Sequence, residues 1–187
     1  MHQVIRAIVY AKDKEGAMDQ AKEIFDGLVE RSIFDYYVTF DEEGHGVSGK
    51  DRWGELPVCA KANSEEGKKL IEDGMKYTKD DFMENIKKIH ACMSKYSDEE
   101  LFEGGKELFA GGEGRRGDIM LFRYYCNHVG QYEGTSIWLY NNDSEGIQTE
   151  KELNDTLGKY ASIYDDNGKK NPYADDTVWV VPADVHI

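Results

Sequence analysis

Four side chains near two apolar segments have the types and spacing of a metal site or a nucleophilic site. Cys126 and His128 are two residues apart, as are Asp184 and His186. Because alternate residues of a strand point to the same side, each pair would share a face if both segments were strands. If those strands were also neighbours, the four side chains would converge, and their types are ligands for zinc or another borderline divalent metal.

The same four residues allow a second chemistry and also a simpler explanation. Cys126 and His128, oriented by Asp184, have the types of a nucleophile, a base and a positioning carboxylate in a hydrolytic enzyme. Exposed polar residues and a small buried cysteine explain the pattern without any site. Since residue types without fixed spacing are a weak motif, we favour that simpler explanation. Apart from a divalent metal at these residues, the sequence indicates no cofactor.

A glycine-rich segment, residues 104–117, includes Arg115 and Arg116 and has the composition of an anion-binding loop. Glycines let backbone amides approach an anion, and two guanidinium groups can clamp phosphate or carboxylate. Phosphate-binding fingerprints require a helix directly after the glycines, whereas the pattern here predicts a strand, and the glycine order matches no fingerprint. We therefore interpret the segment as a connecting loop.

Hydrophobic periodicity predicts the elements that must position these side chains. Strands are predicted where apolar residues alternate, and helices where they recur every three or four residues. The predicted strands are residues 4–11, 34–40, 119–127, 135–140 and 177–187. The predicted helices are residues 13–31, 64–77, 81–96 and 149–160, with a short helical turn from 97 to 102.

The last predicted strand has one clearly apolar side. That side is formed by Trp179, Val181, Ala183, Val185 and Ile187, which leaves Asp184 and His186 on the opposite side. Pro182 has no N–H to donate to a neighbouring strand. We therefore expect this strand to lie at a sheet edge or to bend at the proline.

The order of the elements predicts an α+β fold. It runs β-α-β, then helices, then β-β-α-β, which resembles a ferredoxin-like, split β-α-β plan with a mainly antiparallel sheet of about five strands. We expect helices on one face of that sheet. A single domain over residues 1–187 is expected, with residues 60–110 as a helical insertion. A two-domain arrangement, with 60–110 as a small helical subdomain, is the alternative.

The chain is strongly acidic, with 37 Asp and Glu against 23 Lys and Arg and a formal net charge of −14. Phosphate backbones and anionic membranes attract basic residues, so we expect neither nucleic acid nor membrane as a partner. The three cysteines lack C-x-x-C spacing and predict no disulfide framework. With no pattern of a secretory signal, a cytoplasmic location is expected.

These observations favour one function and leave two alternatives. We favour a non-enzymatic binding protein, whose partner is another protein or a second copy packed through an exposed sheet face. The absence of a catalytic motif and the aromatic segments support it, since tyrosine suits half-buried interfaces. The first alternative is a small metal-dependent or Cys/His hydrolytic enzyme. The second is an acidic inhibitor that mimics nucleic acid and blocks a basic protein, a hypothesis that only the charge supports.

Overall fold

The computed structural model describes residues 1–43, 46–103, 115–158, 167–170 and 176–187. The strands in these ranges are β1 (His2–Ala11), β2 (Tyr36–Thr39), β3 (Ala60–Lys61), β4 (Leu139–Tyr140) and β5 (Thr177–His186). The helices are α1 (Lys14–Glu30), α2 (Lys50–Trp53), α3 (Glu65–Lys95), α4 (Asp98–Glu103), α5 (Arg115–Val129) and α6 (Glu150–Gly158), with a 3-10 turn at Gly134–Ser136. None of the described helices is long and apolar enough to cross a membrane.

The chain divides into two compact units. The sheet unit comprises residues 1–78 and 132–187, and the helical unit comprises residues 79–131. The long helix α3 belongs to both, because it starts in the sheet unit and ends in the helical unit.

The sheet unit is built on a five-stranded mixed sheet, which confirms the α+β class. Its order is β2-β5-β1-β4, and β3 also pairs with β5. β5 runs antiparallel to β1, β2 and β3, whereas β4 runs parallel to β1. The prediction of a mainly antiparallel sheet is therefore wrong. The ferredoxin-like plan is not confirmed, because that plan has no parallel neighbour for its first strand.

Helices cover both faces of the sheet, so the prediction of helices on one face is also wrong. Alternate residues of β1 point to opposite faces. Ile5, Ala7 and Val9 pack against α1, whereas Ile8 and Tyr10 pack against the start of α3 and against α6. β1 is apolar on both sides because helices pack against both of its faces, and it lies in the interior of the sheet between β5 and β4.

The alternating pattern of β5 is confirmed, but its predicted position at an edge is not. Trp179, Val181, Ala183 and Val185 are all buried against the α1 side. Strand β5 is interior, between β1 and β2. Its outer partners are β2 at residues 183–186 and β3 at residues 179–180, so Pro182 falls between two paired segments.

The hydrogen-bond pattern explains how the sheet accommodates this proline. Pro182 lies opposite Arg6 of β1. The backbone N–H of Arg6 donates to Trp138 on the β4 side at 3.0 Å, so Arg6 and Pro182 form a non-hydrogen-bonded pair. A backbone N–H at position 182 would therefore point to the outer side of β5. Neither β2 nor β3 pairs with residue 182 on that side, so the sheet loses no hydrogen bond there.

Helix α3 replaces the two helices predicted at 64–77 and 81–96. Thr78, which directly follows the first of those two predicted helices, lies inside α3 and is buried. Its hydroxyl accepts a hydrogen bond from the Trp138 backbone N–H at 3.0 Å, so it serves tertiary packing and not a helix cap. Gly74 permits the close approach, because a Cβ there would lie 3.1 Å from Leu139 Cβ and 3.3 Å from Arg6 Cδ.

Residues 119–127, predicted to be a strand, belong to helix α5. Ile119 and His128 are buried, and Phe122 and Tyr125 between them are half-buried. These four positions are three residues apart, which is a helical spacing. The sequence did not show it because nearly every residue from Ile119 to Cys126 is apolar, so the segment has no polar side to define a period.

Two shorter helices begin with reciprocal hydrogen bonds between a hydroxyl residue and a glutamate. At α4, the Ser97 N–H donates to the Glu100 carboxylate at 3.0 Å, and the Glu100 N–H donates to the Ser97 hydroxyl at 3.3 Å. At α6, the Glu152 N–H donates to the Thr149 hydroxyl, and the Thr149 N–H donates to the Glu152 carboxylate. Both are reciprocal capping boxes.

Candidate functional site

Three aromatic rings form a compact cluster at one end of the sheet, with all three pairs of ring centroids between 5.0 and 6.1 Å apart. His2 of β1 lies opposite His186 of β5, and His186 lies opposite Tyr36 of β2. The two imidazole centroids are 5.0 Å apart with the rings 70° to each other, and His186 stacks on Tyr36 at 5.1 Å. The two kinds of residue pair alternate along an antiparallel ladder. The His2 and His186 pair is four residues from the Arg6 and Pro182 pair, so it is also a non-hydrogen-bonded pair. Side chains approach each other most closely at such pairs.

A buried carboxylate orients the first imidazole. Asp184 is fully buried, and its two oxygens lie 3.1 and 3.2 Å from Nδ1 of His2. The backbone N–H of Gly49 donates to the same carboxylate at 2.8 Å. An ionised carboxylate only accepts hydrogen bonds, so Nδ1 of His2 is the donor and Nε2 is the ring nitrogen left for another partner.

A second carboxylate orients the second imidazole. Nδ1 of His186 lies 2.8 Å from the Asp35 carboxylate, and its Nε2 lies 3.3 Å from the Met1 nitrogen. The His186 ring is about a third exposed, whereas the His2 side chain is nearly buried. We call His2, Asp35, Tyr36, Asp184 and His186 the imidazole cluster. An imidazole held in this way can act as a general base or as a metal ligand.

The structure brings together two of the four residues singled out in the sequence. Asp184 and His186 lie on the same side of β5 and both belong to the imidazole cluster. Cys126 and His128 lie on helix α5 of the helical unit. The convergence predicted for all four residues required a strand at 119–127, and that premise is wrong.

Cys126 and His128 also differ in their surroundings. Residues two apart on a helix point in different directions, and here Cys126 is exposed whereas His128 is buried. The His128 ring packs on Tyr124 with centroids 4.1 Å apart. Burial lowers the pKa of His128, with Asp81 acting in the opposite direction. The helix therefore does not place this cysteine and histidine on one face.

The anion-binding hypothesis falls mostly outside the described residues. Residues 104–114 are not among them, and the side chains of Arg115 and Arg116 are not described either. The backbone at these arginines begins helix α5, so the predicted strand after the glycines is wrong.

The sequence analysis did not identify three members of the imidazole cluster, nor the glycine whose N–H donates to Asp184. His2 lies in β1 and Tyr36 begins β2, whereas Asp35 directly precedes β2 and Gly49 directly precedes α2. Only the register of β5 against β1 and β2 brings them to Asp184 and His186. The sequence did indicate that His2, Val4 and Arg6 share one face of β1. Once β1 pairs with β5, that face is the one that carries Asp184.

A buried cation lies further along the same sheet face. Arg6 is 4% exposed, and its guanidinium lies over the Tyr77 ring at 5.5 Å. Burial lowers the pKa of Arg6 to about 10, and Asp73 and Tyr77 oppose that shift. One terminal nitrogen donates to the Val4 carbonyl, whereas Nε has no hydrogen-bond partner among the described residues. Arg6 therefore stays charged near neutral pH.

A cleft of about 470 Å³ opens beside β3 of the sheet unit. It is lined by Pro57, Cys59, Ala60, Lys61, Ser64, Glu66 and Trp179. Burial raises the pKa of the Cys59 thiol, which keeps it protonated near neutral pH. A protonated thiol is a poor nucleophile, so this cleft does not have the chemistry of a cysteine-dependent enzyme.

The helical unit carries an apolar groove of about 350 Å³. Its lining consists of Met93, Asp98, Leu101, Phe102, Phe122 and Arg123. Leu101 is buried in a small core with Tyr96 and Ile119, and Phe122 packs against that core. Met93 and Phe102, by contrast, are 57% and 78% exposed. We call this surface the α4 groove.

Carboxylates flank the α4 groove. Helix α4 contains Asp98, Glu99, Glu100 and Glu103 among its six residues. Asp98, Glu99 and Glu103 are exposed. Arg123 is held at the groove by a hydrogen bond to the Phe102 carbonyl at 3.0 Å. The groove thus combines an apolar lining with an acidic helix.

Within the described residues, no group of three or more His, Cys, Asp or Glu side chains is arranged to hold a metal ion. The fold and these surfaces define an acidic α+β protein with a mixed-sheet unit and a helical unit. The chain belongs to the family described as "Domain of unknown function (DUF7995)", whose profile matches residues 1–187. No curated protein and no solved structure matches the chain.

Proposed function

We propose that the protein is a non-enzymatic binding protein, which takes a basic amphipathic helix of a protein partner into the α4 groove. The observation that carries the proposal is the exposure of Met93 and Phe102 over the apolar floor formed by Leu101 and Phe122. Amphipathic helices bind grooves of this kind by inserting apolar residues spaced three and four apart.

Exposed apolar surface is concentrated in the helical unit. Of the twelve large apolar side chains exposed in the described part of the chain, six belong to residues 79–131. They are Phe82, Met83, Met93, Phe102, Leu121 and Tyr124. Two of the six, Met93 and Phe102, line the α4 groove together, and exposed apolar patches mark interaction surfaces. Methionine and phenylalanine side chains are also enriched in the cores of protein interfaces.

The acidic flank of the groove selects the partner chemistry. Asp98, Glu99 and Glu103 would face positive charge on the polar side of a bound helix, which favours association and specificity. A second copy is not favoured as the occupant, because it would bring the same acidic α4 and a net charge of −14. Association through an exposed sheet face is not favoured either, since helices pack against both faces.

The proposal includes a cytoplasmic location and the absence of enzymatic activity. Cys59, Cys92 and Cys126 form no disulfide with one another, which supports a reducing compartment such as the cytoplasm. The enzyme hypothesis loses support because Cys126 and His128 lie on different sides of a helix. The mimicry hypothesis also predicts a basic partner, but it requires charge alone and no apolar groove.

The test is a titration of the protein into a labelled model peptide, followed by fluorescence anisotropy. The peptide has about 18 residues, or five helical turns, with leucines on one face and lysines on the other. We expect saturable binding that weakens more than about tenfold in Phe102→Asp, because that change puts a charge among apolar contacts. The control is Tyr132→Asp, which changes an equally exposed aromatic residue outside the groove.

Two further probes separate the alternatives. A peptide of identical composition with its leucines scrambled should bind at least about tenfold more weakly, because it has no apolar face. Equal binding of the two peptides would support charge-only mimicry and overturn the groove proposal. A dimer detected by light scattering that Phe102→Asp dissociates would make a second copy the occupant, and would overturn the proposed partner.

A further inference from the structure

We propose that His2 and His186 bind one borderline divalent metal ion, of the Zn²⁺ type, through their Nε2 atoms. The proposal is independent of the α4 groove and rests on the sheet unit alone. The two residues face each other across β1 and β5 in a non-hydrogen-bonded pair, with ring centroids 5.0 Å apart. Two imidazoles on one tetrahedral metal ion, with Zn–N bonds of about 2.0–2.1 Å, have a centroid separation of about 5 Å.

The carboxylates of the imidazole cluster strengthen this inference. Metal-binding histidines usually donate the proton of the other ring nitrogen to a carboxylate, which fixes the tautomer and orients the ring. Both histidines show this arrangement, with Nδ1 of His2 on Asp184 and Nδ1 of His186 on Asp35. Each ring therefore offers Nε2 as its basic nitrogen. Asp184 and Asp35 are positioning residues in this proposal, not ligands.

The chemistry of the donors selects the class of metal. Imidazole suits zinc, copper, nickel and cobalt, whereas calcium and magnesium require oxygen ligands. Only two protein nitrogens are proposed as ligands, so water takes the remaining coordination positions. The Met1 nitrogen now lies 3.3 Å from Nε2 of His186, and the metal would replace that contact. The His186 ring is accessible, because a third of its side chain is exposed.

The experiment is isothermal titration of untagged protein with Zn²⁺ near neutral pH in a weakly coordinating buffer. We expect one Zn²⁺ per chain, with affinity reduced more than about tenfold in His2→Ala and in His186→Ala. The matched control is His90→Ala, which removes an exposed histidine of the helical unit and should leave the affinity unchanged. Mg²⁺ should give no stoichiometric binding.

A positioning variant keeps the test valid if an alanine variant fails to fold. Asp184→Asn retains the shape of the side chain but weakens its ability to hold Nδ1–H of His2, and it should reduce Zn²⁺ affinity about 10- to 100-fold. Circular dichroism establishes whether each variant is folded. The proposal is overturned if folded wild-type protein binds no Zn²⁺ stoichiometrically. It is also overturned if His2→Ala or His186→Ala binds as tightly as the wild type.

Discussion

At the scale of single residues, Asp184 shows how a side chain that looks exposed in sequence becomes a buried centre. Its position on the polar side of the last strand suggested solvent, yet the carboxylate is fully buried. Burying a carboxylate is costly unless hydrogen bonds compensate it. His2 and the backbone of Gly49 supply those bonds. Neither partner is near Asp184 in sequence, so no local pattern could have indicated them.

Gly49→Ala should destabilise the protein by about 1–3 kcal/mol, because Gly49 has a backbone conformation that L-residues rarely adopt. Its φ is +57°, and an added Cβ would lie 3.1 Å from Val38 Cγ1. Any backbone shift would also disturb the hydrogen bond to Asp184. Urea unfolding of the purified variant measures the change in the free energy of unfolding.

Gly27→Ala is the matched control for that measurement. Gly27 lies inside α1, and an added Cβ there would meet nothing within 4 Å. Alanine is the better helix former, so this variant should gain about 0.5–1 kcal/mol. Opposite signs at the two glycines support the account, whereas equal effects would show that the conformation at Gly49 is not constrained.

At the scale of elements, the sequence predicted those segments whose apolar residues follow one clear period. Strand β5 and helix α1 follow their periodicities, and α4 and α6 begin within one residue of the starts predicted at 97 and 149. Helix α5 was predicted wrongly because its apolar residues surround it. The sequence divided α3 into two predicted helices on either side of Thr78, whose hydrogen bond with the Trp138 backbone is not visible in sequence.

Trp179→Ala should destabilise the protein by about 3–5 kcal/mol, the usual cost of removing a large aromatic side chain from a core. Trp179 is 9% exposed, it packs in the core on the α1 side, and its indole N–H donates to the Ala11 carbonyl at 3.1 Å. Trp53→Ala is the control. Trp53 is 39% exposed, so its loss should change the free energy of unfolding by less than about 1 kcal/mol.

Urea unfolding of both tryptophan variants, followed by far-ultraviolet circular dichroism, makes this comparison directly. A Trp179→Ala variant as stable as Trp53→Ala would contradict the burial of β5 described above. It would also place the register of β5 against β1 in doubt, since that register sets which side of the strand meets α1.

At the scale of the whole molecule, strand order and the imidazole cluster could not be predicted from the sequence. The cluster requires β5 to insert between β1 and β2, which joins residues 2, 36 and 186. Local patterns carry no information on such long-range pairing. The α+β class was accessible because it depends only on the types of the elements. The α4 groove could not be predicted, because one of the helices that line it, α5, was predicted to be a strand over residues 119–127.

The central claim is that a basic amphipathic helix binds in the α4 groove, and methyl NMR of the methionines tests it most directly. On addition of the leucine and lysine peptide, the Met93 methyl resonance should shift, because Met93 lines the groove. The methyls of Met18 and Met75 in the sheet unit, and of exposed Met83 outside the groove lining, should stay in place. An unchanged Met93 resonance at saturating peptide, or an equal shift of Met83, would contradict the claim.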